Sequence, residues 1–360
     1  MKIHYKMINK LISLVLCLGL SAAAVTGCGS AAVRETTAES TIAVETTESE
    51  TSSETTPATV PEKWFTYKTK VYSSFHERVF GKQMCDAWYS LVDAVMAGED
   101  SFSCPNGHIY LWTMAEFPKV CFPVIGEIVK PKDHYDLASI NGTAEFDYKV
   151  SKEEAAKKIA EFEELAEDII NEVIRPEYTD FEKALALYSY FTHTYTYDYD
   201  TFRKVESNEA VNYTSSYRLL TTKTGICCEI AEAYSYLLLQ VGVDAATVIN
   251  AKHEWSIIKL NDKNYHIDPT FGLSDWDNLS YFLMNDEQRI YTDLYNDKTF
   301  QYVAYYDPEV PPDFSASDDT YKVLWDYHMT YFDPTEKKIE CWKYKEDGTE
   351  NFTYDYSGSV

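Results

Sequence analysis

A cysteine stands directly after a glycine and at the head of an apolar stretch, in Thr224-Gly225-Ile226-Cys227-Cys228-Glu229-Ile230-Ala231-Glu232-Ala233-Tyr234. Ile230, Ala233, Tyr234, Leu237 and Leu238 recur three and four apart, which predicts a helix with one apolar face. Gly242 is placed to cap its C-terminus. A thiol on the first turn of such a helix meets backbone N–H groups without intrahelical partners and the positive end of the dipole. Both favour thiolate over thiol, and the thiolate is the nucleophilic form. Cys227 is therefore the first candidate for chemistry.

A catalytic thiolate needs a base, and the base an orienting group. Downstream lie His253-Glu254-Trp255-Ser256-Ile257-Ile258, then Asn261-Asp262-Lys263-Asn264, then Tyr265-His266-Ile267-Asp268-Pro269-Thr270. The first and last runs read as strands, the middle run as their turn. In a hairpin centred on Asp262–Lys263, His253 and Asp268 share a face. That register leaves them four residues out of step, about 13 Å at ~3.3 Å per residue. Contact between them requires a bulge, a bend or a different turn.

The order G-x-C, H-x-W, D-P-T resembles the transglutaminase-like superfamily of papain-type Cys-His-Asp enzymes. Gly225-Ile226-Cys227 matches its nucleophile turn, His253-Glu254-Trp255 its histidine strand, and Asp268-Pro269-Thr270 its aspartate strand. The resemblance implies an α+β fold with helices packed on an antiparallel sheet. It implies Cys227 as nucleophile, His253 as base and later acid, and Asp268 as the residue orienting the imidazole. The chain departs from the pattern in two places. Bacterial relatives follow the cysteine with x-G-Y-A, whereas Cys228-Glu229-Ile230-Ala231 keeps only the alanine, and Ser256 replaces the asparagine often found after the tryptophan.

Each residue also has a structural reading. Cys228 lies one helical step, about 100°, from Cys227 and reads as a small buried hydrophobe. A strained vicinal disulfide is the alternative. His266 shares the strand face of Asp268 and reads as a packed neighbour or a decoy base. Trp255 reads as core, with a substrate contact as the alternative. Cys227, Cys228, His253 and His266 fit no familiar zinc spacing, so no metal and no other cofactor is expected. Cys85, Cys104 and Cys121 are close enough in sequence for one disulfide, or are three buried thiols.

Residues 1–28 read as a secretion signal. Lys2, Lys6 and Lys10 precede an apolar run, Leu11 to Val25, that is shorter than the ~20 residues a membrane span needs. The run ends in Val25-Thr26-Gly27-Cys28, which resembles a bacterial lipobox. That resemblance implies cleavage before Cys28, lipid on its thiol, and a protein exported and anchored on the outer face of the bacterial membrane. Residues 29–62 are rich in Ser, Thr and Glu and read as a disordered tether. A flexible coil of that length spans roughly 30 Å. The whole chain carries a formal charge of −26, which excludes the basic patches of a nucleic-acid binder.

From 63 to 306 the chain reads as the enzyme-like domain with an N-terminal helical extension. Met84, Trp88, Leu91, Val92, Val95 and Met96 mark a helix; Phe102 to Asp136 reads as irregular; Gly142 to Val150 as a strand. Ser151-Lys152-Glu153-Glu154 and Thr179-Asp180-Phe181-Glu182 open two further helices as capping boxes. Asp244 to Asn250 and Tyr281 to Met284 read as strands. Asp307 to Pro312 reads as a boundary, and 307–360 as a β meander of Tyr321–Tyr331, Lys338–Tyr344 and Asn351–Tyr356. Thirty tyrosines indicate many half-buried rings. Two functions compete: a surface thiol enzyme acting on amide bonds of a peptide or protein, of the cell envelope among others, through a thioester, and an inactive envelope-binding module of the same fold.

Overall fold

The structure is a computed structural model that describes residues 63–115, 121–207, 209, 211, 215–250, 252–293, 301–302 and 314–358. The signal, the tether, Cys28 and the 307–312 boundary lie outside the described residues.

The helices form where the patterning places them. The first two are α1 (Ser74–Phe80) and α2 (Lys82–Met96), the latter burying Met84, Trp88, Leu91, Val92 and Val95. The described residues of the stretch expected to be irregular hold regular elements instead. These are β1 (Ser101–Cys104), α3 (Gly107–Ala115), α4 (Ile125–Ile128) and β2 (Val129–Pro131). With β3 (Gly142–Tyr148) the strands make an antiparallel sheet in the order β1-β3-β2. Pro105 and Pro123 fall between these short elements, Pro131 ends β2, and Pro118 lies outside the described residues.

α5 (Lys152–Val173) starts at Ser151, whose side chain accepts the Glu154 N–H. α6 (Asp180–Thr194) starts in a reciprocal capping box between Thr179 and Glu182. There follow β4 (Thr196–Tyr197), α7 (Tyr199–Glu206), α8 (Ser216–Thr222) and β5 (Thr224–Gly225). β4 and β5 pair in parallel.

α9 (Cys227–Gln240) is the element on which the domain closes. Every residue except Cys228 is buried, so the helix is enclosed on all sides rather than on one stripe. Its end is a Schellman turn: Gly242 takes φ 85°, and the Val243 N–H reaches the Leu238 carbonyl at 3.0 Å. On one side α9 meets α6, where the Tyr234 hydroxyl donates to the Ala184 carbonyl at 2.8 Å. On the other it lies on a four-stranded antiparallel sheet in the order β8-β7-β6-β9. These strands are β6 (Ala245–Ile249), β7 (Glu254–Leu260), β8 (Lys263–Ile267) and β9 (Gln301–Tyr302). Ser256 secures the contact, taking the Ser235 hydroxyl at 2.9 Å and reaching the Ala231 carbonyl at 3.2 Å. A longer amide would not fit this helix–sheet seam without displacing one of them.

Two strand expectations fail. Tyr281–Met284 is a 3-10 turn, Leu279–Tyr281, followed by one bridge between Met284 and His266. Tyr321–Tyr331 is a 3-10 turn, Lys322–Leu324, and only from His328 does a strand begin. In both, side chains packed as anchors dominate over pairing: Phe282 and Tyr321 are fully enclosed, and both rings lie against Phe181. The meander itself is β10 (His328–Asp333), β11 (Lys338–Lys345) and β12 (Gly348–Asp355), in that order. It rests on α6. The buried Glu182 carboxylate receives Lys337 Nζ and the Tyr356 hydroxyl, each at 2.8 Å. Several tyrosines work in this way, as tethers between elements; Tyr188, from α6, donates to the Asn278 carbonyl at 2.6 Å.

Candidate functional site

The turn before Cys227 is held from three directions. Gly225 accepts the Asp198 N–H at 2.9 Å through its carbonyl. A Cβ on Gly225 would fall 2.8 Å from Leu219 Cδ1 and 3.0 Å from Glu229 Oε2, so only glycine fits. Glu229, fully buried, gathers the Ile226 and Ser215 N–H groups at 2.9 Å each. It also takes Arg218 through Nε at 2.8 Å and Nη2 at 2.6 Å. The other arm of Arg218 reaches Asp198 Oδ2 at 3.0 Å. Burial works against the Asp198 charge, but the Thr201 and Arg218 hydrogen bonds outweigh it and bring its pKa to about 2. Cys227 is thereby fixed as the first residue of α9, where its N–H has no intrahelical acceptor.

His253 lies just ahead of β7. Asn250 builds the turn that presents it, accepting the His253 N–H at 2.8 Å and the Lys252 N–H at 2.9 Å on Oδ1. The hairpin turn that follows is Asn261–Asp262, both at positive φ (50° and 61°), and Leu260 pairs with Lys263. The turn thus sits one residue earlier than expected, which halves the offset between His253 and Asp268. Asp268 is not on the strand either. It caps α10 (Pro269–Gly272), with Oδ1 accepting the Phe271 N–H at 3.1 Å.

These two shifts bring the side chains together. His253 Nε2 and Asp268 Oδ2 are 2.7 Å apart. Cys227 lies close enough to His253 to act on its charge, and with Nε2 engaged by Asp268 the Nδ1 nitrogen is the one left for a further partner. The imidazole is stacked on Phe271, with centroids 4.3 Å apart and planes 5° apart, and lies 5.9 Å from Trp255. Burial opposes its positive charge, yet the Asp268 carboxylate and the Cys227 thiol together raise its pKa to about 9. Asp268 is likewise buried, which works against its charge; His253 and Arg289 hold its pKa below the usual carboxylate range all the same.

The remaining sequence candidates have other places. Trp255 is 1% exposed and donates its indole N–H to His266 Nδ1 at 3.0 Å, so it supports the site from beneath rather than fronting a groove. His266 Nε2 lies 2.9 Å from Asp286 Oδ1, so its neutral ring is used on both nitrogens, and burial lowers its pKa. It is not available as a base. Cys228 is half-buried, one helical step from Cys227, and enclosure of its sulfur pushes the thiol well up. All six cysteines from Cys85 to Cys341 are free thiols. Among the described residues no group of three His, Cys, Asp or Glu side chains is arranged to hold a metal, and no helix is long and apolar enough to cross a membrane. A surface depression of about 340 Å³ lies between α2 and α5, lined by Val95, Lys152 and Ile159, away from Cys227.

Residues 167–282 match the family model of the transglutaminase-like superfamily. Cys227, His253 and Asp268 all fall within this transglutaminase-like segment. No curated protein matches the chain. A solved structure described as "Crystal structure of a TGase" is 21% identical, over 34% of this chain and 34% of that one, with a TM-score of 0.28. The match thus spans about a third of that protein's length.

Three residues beside the cluster were missed in the sequence: Arg218, Asn250 and Arg289. Asn250, three positions before His253, was legible as a side chain that closes a turn on its own backbone. Arg218 and Arg289 carry no local signal; only the fold brings them to Glu229 and Asp268.

Proposed function

We propose that the chain is a thiol enzyme acting on amide bonds, with Cys227 as nucleophile, His253 as base and acid, and Asp268 as orienter. The observation that carries this reading is an imidazole held 2.7 Å from a buried carboxylate and raised in pKa by that carboxylate and by Cys227, which stands at a helix start. A His253 pKa of about 9 favours the imidazolium at neutral pH, which places a proton donor beside Cys227. The sulfur attacks a carboxamide or peptide carbonyl, forming the C–S bond while the carbonyl electrons move to oxygen. The Cys227 N–H is one donor to that oxyanion. As the carbonyl re-forms, the C–N bond breaks and His253 gives its proton to the leaving amine. The thioester is then cleaved by water, with His253 taking its proton, or by a lysine amine, which yields an isopeptide bond. Hydrolysis is our preferred outcome, because transfer needs water to be excluded. The lipobox at Cys28 and the tether after it place this chemistry on the outer face of a bacterial membrane in our reading, with peptides or proteins of the envelope as substrates.

A second reading, an inactive binding module, is favoured by the low exposure of Cys227, 4%. Iodoacetamide labelling of the full chain at mildly acidic pH, read by peptide mass spectrometry, separates the two. Fast modification confined to Cys227 and lost in His253→Ala supports the enzyme. Equal labelling of Cys227 and Cys228, or none, sinks it.

A further inference from the structure

Asp268 and the backbone of His253 are joined a second time, through Asn250 and through two residues, Arg289 and Asp293, that lie beyond the family match. Helix α11 (Asp286–Tyr291) carries Arg289, which is 1% exposed. Its guanidinium lies 3.9 Å from the centroid of the Trp255 ring and 5.4 Å from that of Phe271, the two rings that flank His253. Nη2 is 4.0 Å from Asp268 Oδ2 and 3.3 Å from Asp293 Oδ2. Asp293 Oδ2 in turn accepts Asn250 Nδ2 at 2.9 Å, and Asn250 Oδ1 holds the His253 N–H at 2.8 Å. The contacts close a ring: His253, Asp268, Arg289, Asp293, Asn250 and back to His253.

We infer that Arg289 is a positioning residue for the proposed reaction, its cation shared between Asp268 and Asp293 so that Asp268 stays ionised and aimed at His253. The inference rests on the reading of Cys227, His253 and Asp268 given above. A carboxylate that faces only an imidazole in a dry site would exchange its charge with it; a permanent cation on the far side prevents that. Arginine suits the place, because a flat guanidinium stacks on Trp255 while its edge meets two carboxylates. The other ionisable groups facing Asp268 are His266 from β8, Tyr188 from α6 and Tyr281 from the 3-10 turn. His266, with Asp286 on its far nitrogen, is neutral and lies beside Arg289. Cys227 faces the site only through His253. None of these supplies a second cation, and burial keeps both tyrosines protonated.

The test is the titration of the Asp268 carboxyl, followed in the full chain by carbon-13 NMR with labelled aspartate, beside the acid limb of Cys227 alkylation. Arg289→Met is expected to raise both by about 1 pH unit, the scale of one nearby opposite charge. Arg289→Lys restores most of the shift. Asp293→Asn frees the guanidinium for Asp268 and moves the titration the other way. A purely structural role would lower stability and leave both midpoints in place, and that result overturns the inference. Should Arg289→Met fail to fold, Asp293→Asn decides: a downward shift supports the inference, an unchanged or upward one overturns it. A wild-type Cys227 that resists selective alkylation sinks the proposed enzyme instead, and the Asp268 titration still reads the Arg289 effect.

Discussion

Asp268→Asn keeps the shape of the side chain and its ability to accept the His253 N–H, and removes one charge. In the native protein the imidazole titrates near pH 9 although burial alone would bring it below its ordinary 6.5. The raised value comes from Asp268 first and Cys227 second. Without the carboxylate, the His253 pKa is expected to fall to about 6.5 or lower. That loss of roughly 2.5 pH units corresponds to about 3 kcal/mol of preference for imidazolium. The same charge has a signature in stability. A group whose folded pKa is raised stabilises fully below its unfolded value and loses that contribution as pH rises through the folded value. The native protein should therefore lose up to about 3 kcal/mol between pH ~6.5 and ~9, and Asp268→Asn should lack that decline. Urea unfolding at four or five pH values, together with NMR titration of the His253 ring, measures both. If His253 still titrates near 9 in the variant, the carboxylate is not the source of the shift and the argument for an imidazolium held by Asp268 fails.

Further outcomes follow from single contacts. Arg218→Met strands the buried Glu229 carboxylate and should cost about 3 kcal/mol; Arg218→Met with Glu229→Gln should recover much of it, as thermal unfolding of the three proteins will read. Trp255→Phe leaves His266 Nδ1 without its donor in a dry site, for a loss of about 1–3 kcal/mol in urea midpoint. Gly225→Ala must displace Leu219 or Glu229, so Cys227 alkylation should slow even where the fold survives. Cys228→Ala should leave Cys227 labelling unchanged, while Cys227→Ala should abolish turnover once a substrate is known.

The long elements were legible because local signals and packing agree in them. Ser151 and Thr179 cap helices at the positions their spacing indicates, and the apolar repeat of α9 sets its length to Gly242. The short elements were not legible, because enclosure rather than pairing decides them. Phe282 and Tyr321 look like strand residues and serve as anchors against Phe181. The site itself was half visible. Cys227, His253 and Asp268 could be named, but a strand reading of Asp268 kept it away from His253. The sequence did contain the remedy. Aspartate followed by proline is the usual opening of a helix, with aspartate as cap and proline at the first turn. Taken that way, Asp268 leaves the ladder and its carboxylate is free to turn toward His253. Asn261-Asp262, likewise, is a pair that tolerates the left-handed φ a two-residue hairpin turn requires.

The departure after Cys227 has a physical explanation in the same terms. Two residues past the cysteine this chain has Glu229, and a buried carboxylate there would be costly alone. It is not alone. Arg218 meets it through two nitrogens, and the Ile226 and Ser215 N–H groups occupy its remaining lone pairs. The Ile226 N–H lies immediately before the nucleophile candidate, and Ile226 has no side-chain oxygen with which to cap α9. Glu229, at the third helical position, therefore supplies the Glu half of a capping box, taking the N-cap N–H onto its carboxylate, and does it with a charge. Such a carboxylate is stabilised at a helix N-terminus by the positive end of the dipole. The altered residues thus bear on how firmly the Cys227 turn is held, and they leave the His253–Asp268 pair untouched.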